Sequence, residues 1–417
     1  MLDNFYQPQS LVIVLLALLL TARVLGEIAE RFKIPAIIGE VMAGIILGPA
    51  ILNWIAPNES ISVLSDLGVF FLVVLAGLEI IPHDISTSLK GRNIFYIVFA
   101  SLIPFISGAL IGYLFKMPLS TCLFIGLCFT VTALPISARI LLEMNKLNTP
   151  TGQRIISIAV IADVLSLLLL GVVIEVNNLQ NINQFSQAVV FSLLKLVLLL
   201  FIFVLLYRIY QYAKLHFDVI RQKVDLLMLL LKGNESIFAL VIVFILLFAG
   251  LTQFIGLHFI VGAFFASMLL NRQILGTRNY IRVRRNLYTV TMGLLAPVFF
   301  ASIGLSFKVF DMSYFLFFIV LVAGVITSKT LSGLLGARLA GHFQIEGLTT
   351  GLGISMSGLM GLVIANVAYT QHFINNDMYS VLVSVGLFTT LVIPILLKKT
   401  FVILDKKYVL CLDSASN

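Results

Sequence analysis

The sequence predicts an all-α polytopic membrane protein of about 13 transmembrane helices, arranged as two inverted repeats joined by a linker helix. Three observations carry this. Apolar residues make up 60% of the 417 residues and charged residues only 11%, the reverse of a soluble domain's balance. Apolar runs of roughly 20 residues recur along the chain, each long enough to cross a bilayer. Lys and Arg gather in alternate loops, so the net charge of +8 reads as a topology signal rather than a nucleic-acid footprint.

The first run, near 9–28, follows MLDNFYQPQS, which has an acid and no Lys or Arg. It lacks the basic leader of a cleaved signal peptide, and the helix is expected to be retained. The second, near 34–55, reads IPAIIGEVMAGIILGP, with small residues at close spacing. Spans near 61–81 and 93–115 come next, then one near 119–144 that contains FTVTALPISARIL. There Pro135 removes a backbone donor and clashes with the preceding turn, which predicts a break near Thr132 to Leu134. Broken backbone is tolerated at membrane depth only where it lines a cavity or is buried in protein. Thr130 and Thr132 bring hydroxyl and carbonyl oxygens to that break, and these suit a hard monovalent cation.

The sixth span, near 152–176, carries Asp163; a linker helix near 185–212 and a polar stretch over 213–234 follow. Spans near 235–253, 257–271, 287–306 and 313–338 come next, the ninth reading GLHFIVGAFFASMLL with small residues spaced as in the second. The twelfth, near 347–370, holds Gly347, Gly351, Gly353, Gly358 and Gly361, the density of a second interrupted helix or of very close packing. A thirteenth near 378–398 leaves a short cytoplasmic tail, 399–417. The chain therefore divides into repeat one (about 9–176), the linker helix (about 185–212) and repeat two (about 235–398). Together they form one membrane domain. Positive loops that include Arg23, Arg31, Lys90, Arg139, Lys146, Arg154, Arg278, Arg282 and the tail lysines place the C-terminus in the cytoplasm and the N-terminus outside.

Asp163, Lys195 and Lys329 lie deep inside spans; Lys195, in the linker helix, shows no chemistry, and the other two are the candidates for it. A carboxylate at the depth of Asp163 costs about 2.5–3.5 kcal/mol on insertion scales unless paired, hydrated or protonated. It is either half of a structural ion pair or a group that binds a cation when ionised and a proton otherwise. Lys329, mid-span in the eleventh helix, is expected as its counter-charge, on the reading that the eleventh span is the repeat counterpart of the sixth. The fifth and twelfth spans would cross as broken helices with Gly353 and Gly358 at the second break, aiming opposed dipole ends at this pair. Glu40 and Glu79 are expected to reach interface or water. Cys122, Cys128 and Cys411 show no metal or disulfide spacing, and no resident metal or cofactor is expected. The chain has no P-loop, GxSxG or HExxH, which leaves an ATP-driven pump, a protease or any enzyme without support.

FKIPAIIGEVMAGIILGPAIL, DLGVFFLVVLAGLEI, TALP, ADV and APVFFASIGLSF together resemble the monovalent cation:proton antiporter-2 family of sodium/proton antiporters and potassium efflux systems. The resemblance implies a secondary transporter exchanging Na+ or K+ for H+, embedded in the cell membrane as a homodimer. It implies a panel domain (spans 1–3 and 8–10) that makes the dimer contact and a core (4–6 and 11–13) that moves. Asp163 matches the family's ion-binding aspartate, Lys329 the basic residue of the partner helix, and Thr132 the unwound segment. The chain departs from the family at Ala162, where relatives have Asp or Asn, and at Met356, Ser357, Gly358 and Leu359, where many read Pro-Arg-Gly-Glu. The alternatives are a cation-coupled solute symporter and a transport-dead sensor or assembly subunit.

Overall fold

The computed structural model describes residues 11–32, 34–79, 93–132, 137, 140–141, 144–147, 149–176, 208, 234–255, 259–270, 275–356 and 358–415. Pro135 and the expected linker helix near 185–212, apart from Arg208, lie outside these residues. Every regular element among the described residues is helical, and eight helices are long and apolar enough to cross a membrane. Four shorter apolar helices accompany them.

Before residue 177 come α1 (Leu11–Arg31), α2 (Ala36–Leu47), α3 (Glu59–Glu79), α4 (Asn93–Leu114), α5 (Leu119–Thr130) and α6 (Pro150–Val176). From residue 234 onward come α7 (Asn234–Phe254), α8 (Phe259–Leu269) and α9 (Thr277–Val290), which runs through a π-turn at Thr291–Leu295 into α10 (Ala296–Ser306). After these come α11 (Phe315–Ala340), α12 (Gln344–Gly353), α13 (Gly358–Thr370) and α14 (Asn376–Ala415). The expected tail is thus largely a continuation of the last helix. Faces meant for lipid are apolar and exposed: Val12, Leu16 and Leu20 on α1, Leu102, Ile106 and Leu110 on α4, Val243 and Leu247 on α7.

The chain forms two compact units. The first comprises Met1–Ser65, His83–Ser166 and Pro297–Asn417, the second Asp66–Pro82 and Leu167–Ala296. In the first, α2 lies so close to its neighbours that a Cβ on Gly39 would sit 2.2 Å from the Leu25 carbonyl oxygen of α1. On Gly44 it would sit 1.9 Å from the Ala301 oxygen of α10. In the second unit, Gly262 of α8 would meet the Phe248 oxygen of α7 at 2.4 Å, and Gly77 of α3 the Phe264 oxygen of α8 at 2.6 Å. The second and ninth spans, matched in the sequence by small-residue spacing, therefore dock by the same device, each on the helix before it and on a span of the other repeat. Such close backbone approach is what small residues permit where lipid supplies no hydrophobic drive between helices.

The same device joins α4 to α5 at Gly108 and Gly126, and α11 to α12 at Gly333, Gly347 and Gly351. On the expected division into six spans, a linker and six more, α4 would pair with α11 and the sixth span with the thirteenth. The expected pairing of the eleventh span with the sixth therefore does not follow from that division, and Asp163 and Lys329 would not be repeat mates.

Candidate functional site

α5 stops at Thr130, and Val131 turns to an extended backbone (φ −62°, ψ 144°) that carries the chain out of the helix. α12 stops at Gly353, and α13 resumes at Gly358. Both expected interruptions are present, and each ends a half-helix whose last carbonyls lack intrahelical donors. At membrane depth an unmet carbonyl costs several kcal/mol, so these oxygens require partners.

Lys329 supplies them. Its side chain is fully buried, and Nζ donates to the carbonyl oxygens of Val131 and Ile354, the second over 2.8 Å. Val131 and Ile354 are the C-cap residues of α5 and α12, so one ammonium group sits at two negative dipole ends. The glycines of α12 make that reach possible. A Cβ on Gly351 would fall 2.6 Å from the Lys329 carbonyl oxygen, and one on Gly333 would fall 2.3 Å from that of Gly347.

Asp163 lies on α6 beside the same break, 4% exposed. Its Oδ1 accepts from the backbone N–H of Thr132 over 3.4 Å. Thr132 Oγ1 donates in turn to the Ile354 oxygen over 3.3 Å, tying the first break to the second. The carboxylate thus takes a main-chain donor and the ammonium takes main-chain acceptors. No ion pair within 4.0 Å joins Asp163 and Lys329 among the described residues, and the hydrogen bonds of both side chains go to the main chain of the breaks.

Of the other expected residues, Thr130 turns its hydroxyl to the Gly126 oxygen over 3.0 Å, within its own helix. Gly353 presses on α6, where a Cβ would lie 2.4 Å from the Ile155 side chain. Gly358 starts α13, and Pro135 lies outside the described residues. Glu40 does not reach water as expected: it is 5% exposed and 3.7 Å from Arg23. Sequence reading missed the carbonyls of Val131 and Ile354, which leave no side-chain signal. It also missed Ser137, whose hydroxyl donates to the Gly353 oxygen over 3.2 Å.

A buried ion pair was missed as well. Arg154 near the start of α6 binds Glu346 in the first turn of α12 at 3.1 Å, with 7% of each side chain exposed. The Arg154 guanidinium stacks 4.7 Å from the Tyr96 ring centre, and the Tyr96 hydroxyl bonds His342 Nδ1 at 3.1 Å. Counted in the sequence as a loop charge, Arg154 instead fastens the helix that carries Asp163 to the half-helix that ends at Ile354.

Residues 14–402 match the family model described as the transmembrane sodium/hydrogen exchanger. A Na(+)/H(+) antiporter of Enterococcus hirae is 31% identical over 393 residues, spanning 92% of this chain and 96% of that protein. The Na(+)/H(+)-K(+) antiporter GerN of Bacillus cereus is 25% identical over 392 residues, spanning 93% and 96%. The sodium proton antiporter MjNhaP1 of Methanocaldococcus jannaschii, solved at pH 8, superposes with a TM-score of 0.64 at 19% identity, over 94% of this chain and 96% of that one. This last likeness is one of fold.

Proposed function

The chain belongs to the sodium/hydrogen exchanger family, and from that premise we propose that it is a secondary active transporter exchanging Na+ or K+ for H+ by alternating access. The observation that carries the proposal is the arrangement at the two breaks. A single buried carboxylate, Asp163, faces an unwound main chain, and the fixed positive charge beside it is held on carbonyls. An ionised Asp163 with the oxygens of Thr132 offers a dehydrated monovalent cation a small, hard, oxygen-only site. A protonated Asp163 needs no cation. The two ligands therefore compete for one carboxylate, and competition for one site is what couples opposed fluxes.

In this reading α5 and the α12–α13 pair cross as broken helices, and Lys329 is the resident counter-charge. The core that carries them moves against a panel domain, within a homodimer whose N-terminus faces outward. The curated relatives named as Na(+)/H(+) and Na(+)/H(+)-K(+) antiporters support the substrate class. Asp163 stands at the family's carboxylate position, and Ala162 leaves it without an adjacent acid.

The test is proton-gradient dissipation in proteoliposomes on adding Na+, K+ or Li+, with wild type beside Asp163→Asn. Asparagine keeps an acceptor for the Thr132 N–H but can neither ionise nor take up a proton. A cation-dependent signal in wild type that vanishes in the variant is expected. Folded wild type that gives no signal with any of the three ions across a range of pH would overturn the exchange reading in favour of solute symport or a transport-dead subunit.

A further inference from the structure

A cavity of about 350 Å³ opens among the end of α10, the end of α13 and the start of α3. Its wall mixes apolar surface with oxygen-bearing side chains, among them Ser65, Ser302, Ser306, Tyr369, Glu59 and, on α13, Asn366. At about 30 Å³ per water, the space holds an ion together with a first hydration shell. We propose that this cavity is a second binding site, at which a partly hydrated monovalent cation waits on its outer path to or from Asp163. The proposal rests on the exchange reading and on the orientation given with it.

Three independent features fix the sign and class of the ligand. First, α10 ends at Ser306 and α13 at Thr370, so two helix C-termini, the negative ends of their dipoles, lie at the cavity, where the Ser306 oxygen already accepts from Asn376 Nδ2 over 3.0 Å. The N-terminus of α3 is likewise engaged: Asn58 Oδ1 accepts the Ile61 N–H over 2.9 Å and Glu59 lies in the first turn. Among the described residues no Lys or Arg lines the wall. Second, Glu59 is exposed at the rim, where a fixed negative charge raises the local cation concentration. Third, the Asn366 carboxamide is 8% exposed, lines the cavity and has no hydrogen-bond partner among the described residues. Its polar atoms open onto the cavity, where they are free to meet water or an ion. Ser302 and Ser65 differ in this respect, since their hydroxyls bond each other at 2.7 Å.

Position ties this site to the first. Asn366 follows the break residue Gly358 on the same helix, α13. At 1.5 Å per residue the separation from 358 to 366 is about 12 Å along the axis. An ion at Asn366 is then one short step from the break, partly dehydrated by neutral oxygens before it meets the carboxylate.

The experiment measures the apparent KM for Na+ from each side of oriented proteoliposomes, for wild type, Asn366→Leu and the surface variant Glu59→Gln. Both variants are expected to raise the outer KM about fivefold or more, Glu59→Gln losing its effect at high salt, with the inner KM unchanged. An outer KM within about twofold of wild type in both variants overturns the proposal. A binding assay separates this from failure of the exchange reading. Asp163→Asn protein should still be stabilised against heat by sodium chloride relative to choline chloride, and the added Asn366→Leu change should abolish that stabilisation. Sodium-specific stabilisation that is absent in Asp163→Asn, or that persists in the double variant, sinks the second site even if exchange is confirmed. If Asn366→Leu does not fold, Asn366→Ala takes its place, and Glu59→Gln, at an exposed position, carries the KM test alone.

Discussion

Lys329 shows how little a side chain's identity says about its partner. Read from the sequence, a lysine at membrane depth wants a carboxylate, and Ala162 removes the nearest one. In the folded protein the ammonium meets carbonyls instead, at the C-caps of two half-helices far apart in the chain. No residue pattern announces an unmet carbonyl; only the presence of two breaks hints that such oxygens exist. Thr130 and Thr132 looked alike for the same reason, yet only Thr132 contributes to the contact between the breaks. A consequence can be measured. Lys329→Met keeps the bulk but leaves the buried Val131 oxygen unmet, while the Ile354 oxygen keeps its bond from Thr132 Oγ1. A loss of about 1–3 kcal/mol is expected, read as a lower melting temperature of the purified protein. Lys329→Gln, which retains a donor amide, should lose less. Equal loss in both variants would mean that the Val131 carbonyl is satisfied by something other than Nζ.

Between elements, the most buried ion pair among the described residues is Arg154–Glu346, which fastens α6 to α12. Nine residues beyond Arg154 on α6 stands Asp163, and eight beyond Glu346 lies Ile354, and Thr132 bridges these two positions at the breaks. Removing one partner of such a pair strands a buried charge, typically at about 3–5 kcal/mol, whereas replacing both with apolar residues is often close to neutral. Arg154→Met alone should therefore destabilise strongly, and Arg154→Met with Glu346→Leu should recover most of the loss in a thermal melt. Additive losses would show that the two side chains do not act as a pair. The sequence concealed this pair because a positive residue near a span end looks the same whether it lies in a loop or is folded inward. Glycines were more legible. Their density in the twelfth span predicted close packing, and Gly351 now abuts the Lys329 carbonyl. Gly351→Ala places a Cβ 2.6 Å from that oxygen. It should force α11 and α12 apart, lowering the melting temperature and, on the exchange reading, slowing transport. An unchanged melt and rate would show that this crossing can relax.

For the whole molecule, hydropathy and chain breakers recovered the order of the described spans, because bilayer thickness sets helix length. They could not show which spans touch, since contacts such as those of Lys329 with Val131 and Ile354 depend on the fold closing over most of the chain. On the exchange reading, what the assembled molecule does with charge follows from the proposed site. With cation bound, an ionised Asp163 plus one monovalent ion plus the Lys329 ammonium would carry one net positive charge. With proton bound, a neutral Asp163 plus the same ammonium would carry the same. If Lys329 keeps its proton on the Val131 and Ile354 carbonyls, both loaded forms move equal charge, and exchange is one for one and electroneutral. On the same reading proton and cation share a carboxylate, so the apparent KM for the cation should also rise as pH falls, approaching about tenfold per unit in the fully competitive limit. The deciding measurement clamps the membrane potential of proteoliposomes with K+ and valinomycin and follows Na+-driven proton movement. A rate indifferent to potential supports a lysine that stays charged on its carbonyls throughout the cycle. A clear dependence on potential would mean that the arriving ion displaces the ammonium and drives off its proton, and the one-for-one account would then fail.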